Sequence, residues 1–440
     1  MRDIQAVLRQ RISDALTTTI PVLTRRDVRL PMVTGKAHAV IGMRRSGKST
    51  FLWQCLAERL AAGTPREALL YLNLEDERLN GMNAVDLGGV IEEWFRQAPG
   101  IRDRTRATLF LDEVQLIPGW ETVARRIIDQ ERIDLFLSGS SAHLLSSEIA
   151  TSMRGRALPT TIYPFSFRET LRHAGLEPAK PWSRLPKAER SDLDAHLRKY
   201  LVNGGFPETQ GIADQDRAPL LRSYVDVAVL RDVLERHAVS HPVALRWLQR
   251  HLLSTAGGLF SVQKCWDTMR SQGLAVGKDS VHAWLAHLEE AFLIRTLSLA
   301  TTSERRRMVN PRKAYPIDPG LIPVWSRSPE PQIGHALETA VLIELLRRGH
   351  EVDYMKTDEG QEIDFLARDH AGKETLIQVS SDTANAETLA RELRALAAES
   401  KRRTRAEALL ISMDARSPQV PTGVRWISAS EWLLTENRDG

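Results

Sequence analysis

Cysteine is nearly absent from this chain. Only Cys55 and Cys265 occur in 440 residues, far apart, which excludes a disulfide framework and a cysteine metal cluster. That usage fits a reduced, cytoplasmic protein. Long apolar runs are missing too. No uncharged stretch approaches the roughly 20 residues that span a bilayer, so no membrane partner is expected. The opening segment, MRDIQAVLRQRISDAL, is polar and charged, unlike a signal peptide. Neither sign of charge dominates. Lys+Arg 60 against Asp+Glu 56 gives +4, too little to name a partner, so any nucleic-acid argument rests on local clusters. Internal repeats and low-complexity tracts do not occur. What remains is a chain with the composition of a globular protein, 42% hydrophobic and 26% charged. Its length suggests about three domains.

Residues 37–170 alternate apolar strand-like runs (AHAVIG, ALLYLNLE, TLFLDE, DLFLSGS) with helical stretches. The alternation predicts an α/β fold with a parallel sheet and helices on both faces. The proline-rich, polar stretch 171–190 and the proline-marked segment ending near 330 read as boundaries. Between them the pattern is mostly helical. After 333 it reads helix, three strands, helix, strand, helix.

The strongest motif is GMRRSGKS, residues 42–49, which matches G-x-x-x-x-G-K-[ST] between a strand and a helix. Gly42 and Gly47 let the backbone wrap phosphates, and the helix N-terminus points its N–H groups at negative charge. Lys48 is expected to reach the β- and γ-phosphates of ATP and Ser49 to ligate Mg²⁺, with Arg44 and Thr50 completing the nucleotide-binding set. In TLFLDE, Asp112 would hold Mg²⁺ through water and Glu113 would orient an attacking water, which predicts ATP hydrolysis. The run ALLYLNLE lies between the two motifs and favours the P-loop subclass with an inserted strand and a catalytic glutamate. Ser138 or Ser140, at the next strand tip, would act as a polar sensor of the γ-phosphate; an ordinary strand-end turn reads equally well. Arg154 and Arg156 flank Gly155. Arg156 is the favoured arginine finger for a neighbouring subunit, against a solvated basic loop.

These residues stand in a familiar series. GMRRSGKST, FLDEVQ, LSGSSAHLLS, RGRALPTTIYPFSFRE, NGGFPE, RDV, HLEEAFLIRTL, KAYPIDPGL and EIDF follow in one order. The chain resembles a large prokaryotic family of AAA-type ATPases with a C-terminal restriction-endonuclease-like domain, over nearly its whole length. The resemblance implies a P-loop AAA-type core at 1–190 with a helical arm at 1–31, a helical and winged-helix domain at 191–330, and an endonuclease-like α/β domain at 331–440. It gives architecture more firmly than cellular role.

The middle segment supports a winged helix on its own residues. Val281, Trp284, Leu285, Leu288 and Phe292 recur at helical spacing as a buried face, with Lys278, Ser280, His282 and His287 pointing away. The stretch after it places Arg305, Arg306, Arg307, Arg312 and Lys313 in an expected hairpin wing, suited to a phosphate backbone. No base-reading pattern is visible, so DNA contact is expected to depend on backbone or shape, branched DNA included. Packing of the module against the ATPase core, or protein binding, is the competing reading.

In the tail, Glu338 falls inside the apolar arc of Leu337, Val341, Leu342, Leu345 and Leu346, where a carboxylate needs a partner. The competing reading is a Glu at the arc's edge that reaches water. Alternation turns Asp364 away from Ile363 and Phe365, and puts Gln378 and Ser380 on one face with Leu376. The resemblance implies acid, acid, acid and lysine at an endonuclease site; Glu338, Asp364, Gln378 and Ser380 supply acid, acid, amide and hydroxyl. Gln378 could still offer an oxygen to a metal. The missing lysine is the larger loss, on the order of 3 kcal/mol of transition-state stabilisation. Nothing in the sequence places Lys356 or Lys373 in its stead. The reading is therefore an ATP- and Mg²⁺-dependent homo-oligomer, with a hexamer among the candidates, that binds or remodels DNA and carries a degenerate nuclease domain. A nucleotide-gated signalling switch and an ATP-dependent nuclease are the alternatives.

Overall fold

The computed structural model describes residues 4–31, 33–102, 104–139, 153–328, 330–382, 386–414 and 416–435. The chain divides into two compact units, Met1–Ile162 and Tyr163–Gly440. Among the described residues no helix is long and apolar enough to cross a membrane.

The first unit is built on a parallel sheet of order β2-β3-β4-β1-β5: β1 Ala37–Ile41, β2 Leu69–Asn73, β3 Ala107–Asp112, β4 Ile133–Gly139 and β5 Ala157–Thr161. β1 and β3 are buried along their whole length, which is why they read as mostly apolar runs. Val40, Phe51, Leu52, Leu56, Phe110, Phe136 and Ile162 share one core. Burying each of the larger side chains contributes about 1.5–3 kcal/mol. Cys55 lies in that core, and burial pushes its thiol up to about 12, so it is an inert packing residue. The strand that separates β1 from β3 in space is β4; the ALLYLNLE run forms β2 at the sheet's edge. β5 had no counterpart in the strand-like runs of the sequence. Its Pro159 weakens the pattern and is tolerated because β5 is the other edge. The N-terminal arm is no free extension: helix Ile4–Thr17 buries Leu8, Ile12 and Ala15 and packs on β2 and helix Ala84–Gln97.

The second unit holds two sheets. The smaller has the order β6-β8-β7 (β6 Leu259–Phe260, β7 Ile294–Leu297, β8 Arg312–Pro316) and follows the helix pair Val262–Ser271 and Lys278–Glu290. Val281, Trp284, Leu285 and Leu288 form the buried face of the second helix as expected, and Phe292 is buried just past its end. The larger sheet has the order β13-β12-β11-β10-β9: β9 Glu351–Lys356, β10 Glu362–Arg368, β11 Glu374–Ser380, β12 Glu407–Ser412 and β13 Val424–Ser428. β13 was not anticipated. Helix Ile333–Arg347 packs on β9, β10 and β11, and helix Ala386–Arg402 packs on β10, β11 and β12. The two sheets are tied by backbone pairing of residues 298–300 with Tyr354. Helices Phe167–His173 and Lys187–Asn203 share a core with the tail, in which Leu171, Leu197 and Tyr200 meet Leu337, Val341 and Phe365.

Candidate nucleotide site and acidic cluster

The loop between β1 and helix Lys48–Ala61 turns on three left-handed positions, Gly42 (φ 146°), Arg45 (φ 67°) and Gly47 (φ 98°). Gly42 tolerates no side chain: a Cβ there would stand 2.3 Å from the carbonyl oxygen of Ile162. The Lys48 ammonium is buried and donates to the carbonyls of Gly42 (3.2 Å) and Met43 (3.1 Å), so it lies across the loop's own cradle. Ser46 Oγ is buried beneath the loop without a partner. Arg44 is half-buried, and Ser49 and Thr50 are exposed on the first helical turn.

Asp112 ends β3 in register with Asn73 of β2, and it is buried. Ser138 Oγ donates to Asp112 Oδ1 and accepts from the backbone N–H of Glu113 (3.2 Å). The Tyr71 hydroxyl donates to Asp112 Oδ2 at 2.6 Å. Burial, and then the Asp112 charge, hold this phenol well above its ordinary pKa, so it stays a donor. Glu113 leaves the strand in a left-handed conformation (φ 56°), and Gln115 Nε2 donates to its carboxylate. A phosphate cradle, an acidic strand tip and a turned-out glutamate thus follow the carboxyl ends of two strands, β1 and β3, of one parallel sheet. Tyr71 and Gln115 were not singled out in the sequence. A lone tyrosine within an apolar strand run was the available signal for the first.

The model of the AAA domain matches residues 34–171, and two domains of unknown function match residues 194–330 (DUF8612) and 333–432 (DUF4143). The uncharacterized protein MJ1544 of Methanocaldococcus jannaschii is 31% identical over 348 residues, covering 78% of this chain and 74% of that protein. The chain belongs to one family with MJ1544, and its residues 34–171 form an AAA-type domain. An uncharacterized protein of Haemophilus influenzae is 30% identical over 330 residues, covering 75% of this chain and 78% of that protein. Among solved structures, the Walker-type ATPase PABY2304 of Pyrococcus abyssi aligns with a TM-score of 0.42 at 14% identity, covering 73% of this chain and 95% of that one. AMPPCP-bound DnaA of Aquifex aeolicus aligns with a TM-score of 0.26 at 12% identity, covering 64% and 86%.

The remaining expected positions of this AAA-type chain scatter. Arg156 Nε pairs with Asp129 at 2.9 Å, a partly exposed ion pair, and Arg154 sits at φ 48° in the same turn. Ser140 lies outside the described residues. Lys278 and His282 are exposed and Ser280 is half-buried. His287 does not face away; it stacks on His237 with ring centroids 3.5 Å apart. The expected wing is not a bare hairpin. Glu304–Val309 is a short helix between β7 and β8, capped by Ser303. Arg305 and Arg306 are exposed on it, beside exposed Met308 and Val309. Arg307 pairs with Asp353 (3.1 Å), and Arg312 is half-buried.

Lys313 requires a correction. It is buried on the central strand of the small sheet and cannot meet a phosphate backbone. Its ammonium lies 2.9 Å from Glu338 Oε1, 2.7 Å from Glu362 Oε1 and 3.3 Å from Asp364 Oδ1. Burial alone would lower its pKa; Glu338, Asp364 and Glu362 together raise it above the ordinary lysine value. Glu338 therefore does not reach out at the arc's edge; it also accepts from Tyr315 Oη at 2.6 Å. Asp364 accepts from Gln378 Nε2 (2.8 Å) and the Val379 N–H (3.0 Å). Burial, with the Glu338 charge, pushes its carboxyl up to about 7. The simple alternation expected around Asp364 fails because the β9–β10 register shifts between Ile363 and Leu366, so Ile363 and Phe365 join different cores. Such a bulge re-aims a side chain. Ser380 donates to the Asp382 carbonyl. Lys356 is exposed, and Lys373 pairs with Glu407.

Proposed function

We propose that this protein hydrolyses ATP with Mg²⁺ and couples the hydrolysis to DNA binding or remodelling by a homo-oligomer. The observation that carries the hydrolysis is the β3 tip, where Asp112 is fixed by Ser138 and Tyr71 while Glu113 turns out of the strand. The loop fits a phosphate chain: Gly42 and Gly47 leave the backbone room, and Lys48 lies across the cradle. Ser49 and Asp112 would hold Mg²⁺, which neutralises charge on the phosphates when bound. Lys48 stabilises the charge of the transferred phosphoryl group. Glu113, steadied by Gln115, orients the attacking water and draws on its proton. Ser138 transmits the position of Asp112 to the Glu113 backbone.

Oligomerisation is supported by Arg156. Its pair with Asp129 is partly exposed and of the kind worth about 0–1 kcal/mol, so it is readily exchanged for a neighbour's nucleotide. DNA contact is supported by Lys278, His282, Arg305 and Arg306, which are exposed basic residues of the helix pair and the short helix after it. A second reading, a nucleotide-gated protein-interaction switch, is favoured by Met308 and Val309, which expose 78% and 73% of their surface beside those arginines.

ATPase rate with and without duplex, single-stranded and branched DNA separates the two. DNA coupling requires stimulation together with binding that weakens as salt rises. Neither effect, with capture of a protein ligand lost in Met308→Asp, would give the switch. Glu113→Gln should lower turnover by about 10²–10⁴ while ATP binding persists, and should stabilise assembly in ATP. A variant that stays monomeric removes the arginine-finger role.

A further inference from the structure

An endonuclease-like site of the kind the sequence resembles would centre on a divalent cation held by Glu338, Asp364 and the position of Gln378. The structure puts something else at that centre. The Lys313 ammonium arrives from β8 and is met by Glu338 from helix Ile333–Arg347 and by Glu362 and Asp364 from β10. We propose that this ammonium is the resident cation of the site, which makes the cluster a fixed internal joint instead of a metal-dependent cleavage centre.

Three observations carry this. The 2.7 and 2.9 Å contacts to Glu362 and Glu338 have the length of charge-assisted pairing, with Asp364 farther at 3.3 Å, whereas Mg²⁺ draws its oxygens to roughly 2.0–2.1 Å. Three carboxylates surround the ammonium, which donates to Glu338 and Asp364 and stands 2.7 Å from Glu362 Oε1. Its charge is already matched by carboxylates, and at 2% exposure Lys313 has no path to a scissile phosphate. It does not replace the lysine that Ser380 fails to supply. Two of the carboxylates have further donors: Tyr315 Oη shares Glu338 Oε1 with the ammonium, and Asp364 accepts from Gln378 and Val379 on its other oxygen, Oδ2.

The joint has a mechanical consequence. Lys313 stands on the small sheet and its partners stand on the large sheet and the helix that covers it. One side chain therefore ties both sheets of the second unit together, alongside the backbone pairing at Tyr354. Truncating it would leave three carboxylates and the unpartnered, buried Gln378 Oε1 around an uncompensated space, a donor set that suits a hard divalent cation.

The test is a Mn²⁺ titration of the full chain without nucleotide, read by electron paramagnetic resonance and by thermal unfolding. Four proteins are compared: wild type, Asp364→Asn, Lys313→Ala, and Lys313→Ala with Asp364→Asn. Any Mn²⁺ at Asp112 is common to all four. Wild type and Asp364→Asn should bind Mn²⁺ alike. Lys313→Ala should be destabilised, gain one further Mn²⁺, and recover stability as it binds. The double variant should lose that ion or hold it roughly tenfold to a hundredfold more weakly. Mn²⁺ binding by wild type that disappears in Asp364→Asn would overturn the proposal, as would a folded Lys313→Ala that gains no ion. Should Lys313→Ala stay unfolded even with Mn²⁺, the comparison of wild type with Asp364→Asn decides alone.

Discussion

Asp112 is gripped from two sides, by Ser138 on one oxygen and Tyr71 on the other. A carboxylate that holds a metal through water works only if its rotamer is fixed, and the hydrogen bonds around metal ligands supply that fixing. Tyr71→Phe keeps the ring, which packs on Trp53 with centroids 4.4 Å apart, and removes only the hydroxyl. The expected result is a Mg²⁺ half-saturation of ATPase activity raised roughly tenfold to a hundredfold, with folding stability changed by about 1 kcal/mol. An unchanged Mg²⁺ dependence would remove Tyr71 from the site. Lys48, Ser49, Asp112 and Glu113 were legible because their spacing and flanking elements are local in the chain. Tyr71 was not, because its partner is 41 residues away and the pairing exists only once β2 and β3 lie side by side. Lys313 was misread for the same reason. In a basic stretch it looks like one more exposed cation, and only strand pairing shows that it points into the protein.

The P-loop depends on β5 as much as on its own glycines. Ile162 follows β5, donates its N–H to the carbonyl of Ile41 at 2.7 Å, and turns its own carbonyl toward Gly42. Gly42→Ala would bring a Cβ to 2.3 Å from that backbone oxygen, at a φ of 146° that L-residues avoid. The closest atom is backbone, which cannot swing aside as the Ser46 hydroxyl at 3.2 Å can. The variant should lose about 1–3 kcal/mol of stability from strain alone. Its nucleotide affinity should fall further than its melting temperature suggests, since the cradle itself is displaced. Calorimetry and fluorescent-nucleotide titration check both. Near-normal nucleotide binding would mean that the loop adapts. The strands β1 to β4 were readable as apolar runs, whereas β5 carries a proline and β10 carries a bulge, and each breaks the period on which such reading depends. β13 escaped because it is short and Arg425 interrupts its apolar run.

Over the second unit, stability is set partly by carboxyl groups buried far from any active chemistry. Asn203-Gly204-Gly205 and Asp318-Pro319-Gly320, more than a hundred residues apart, close into one corner. The Asp318 carboxylate accepts from Gly205 N–H (2.8 Å) and Gly320 N–H (2.9 Å), and a Cβ on Gly204 would overlap it. These two glycine-bearing motifs belonged to the family resemblance, and their meeting explains why neither tolerates bulk. Burial pushes the Asp318 carboxyl up to about 7, against the two backbone bonds and Arg347, which lower it. An unfolded aspartate titrates near 3.9. Below about pH 4 both states are protonated and the contribution is complete. Between about pH 4 and 7 the unfolded chain releases a proton that the native chain keeps, so stability falls as pH rises, by at most about 1.4 kcal/mol per unit. Above that window the contribution stays lost. Asp318→Asn resembles the protonated acid and does not titrate. Its stability relative to wild type should therefore shift in the variant's favour as pH rises from about 4 to 7, whatever the constant cost of the substitution. Urea unfolding of both proteins across that range measures the difference directly. Parallel curves, or a difference that moves the other way, would mean that Asp318 is ionised in the native state throughout and that its two backbone bonds outweigh its burial.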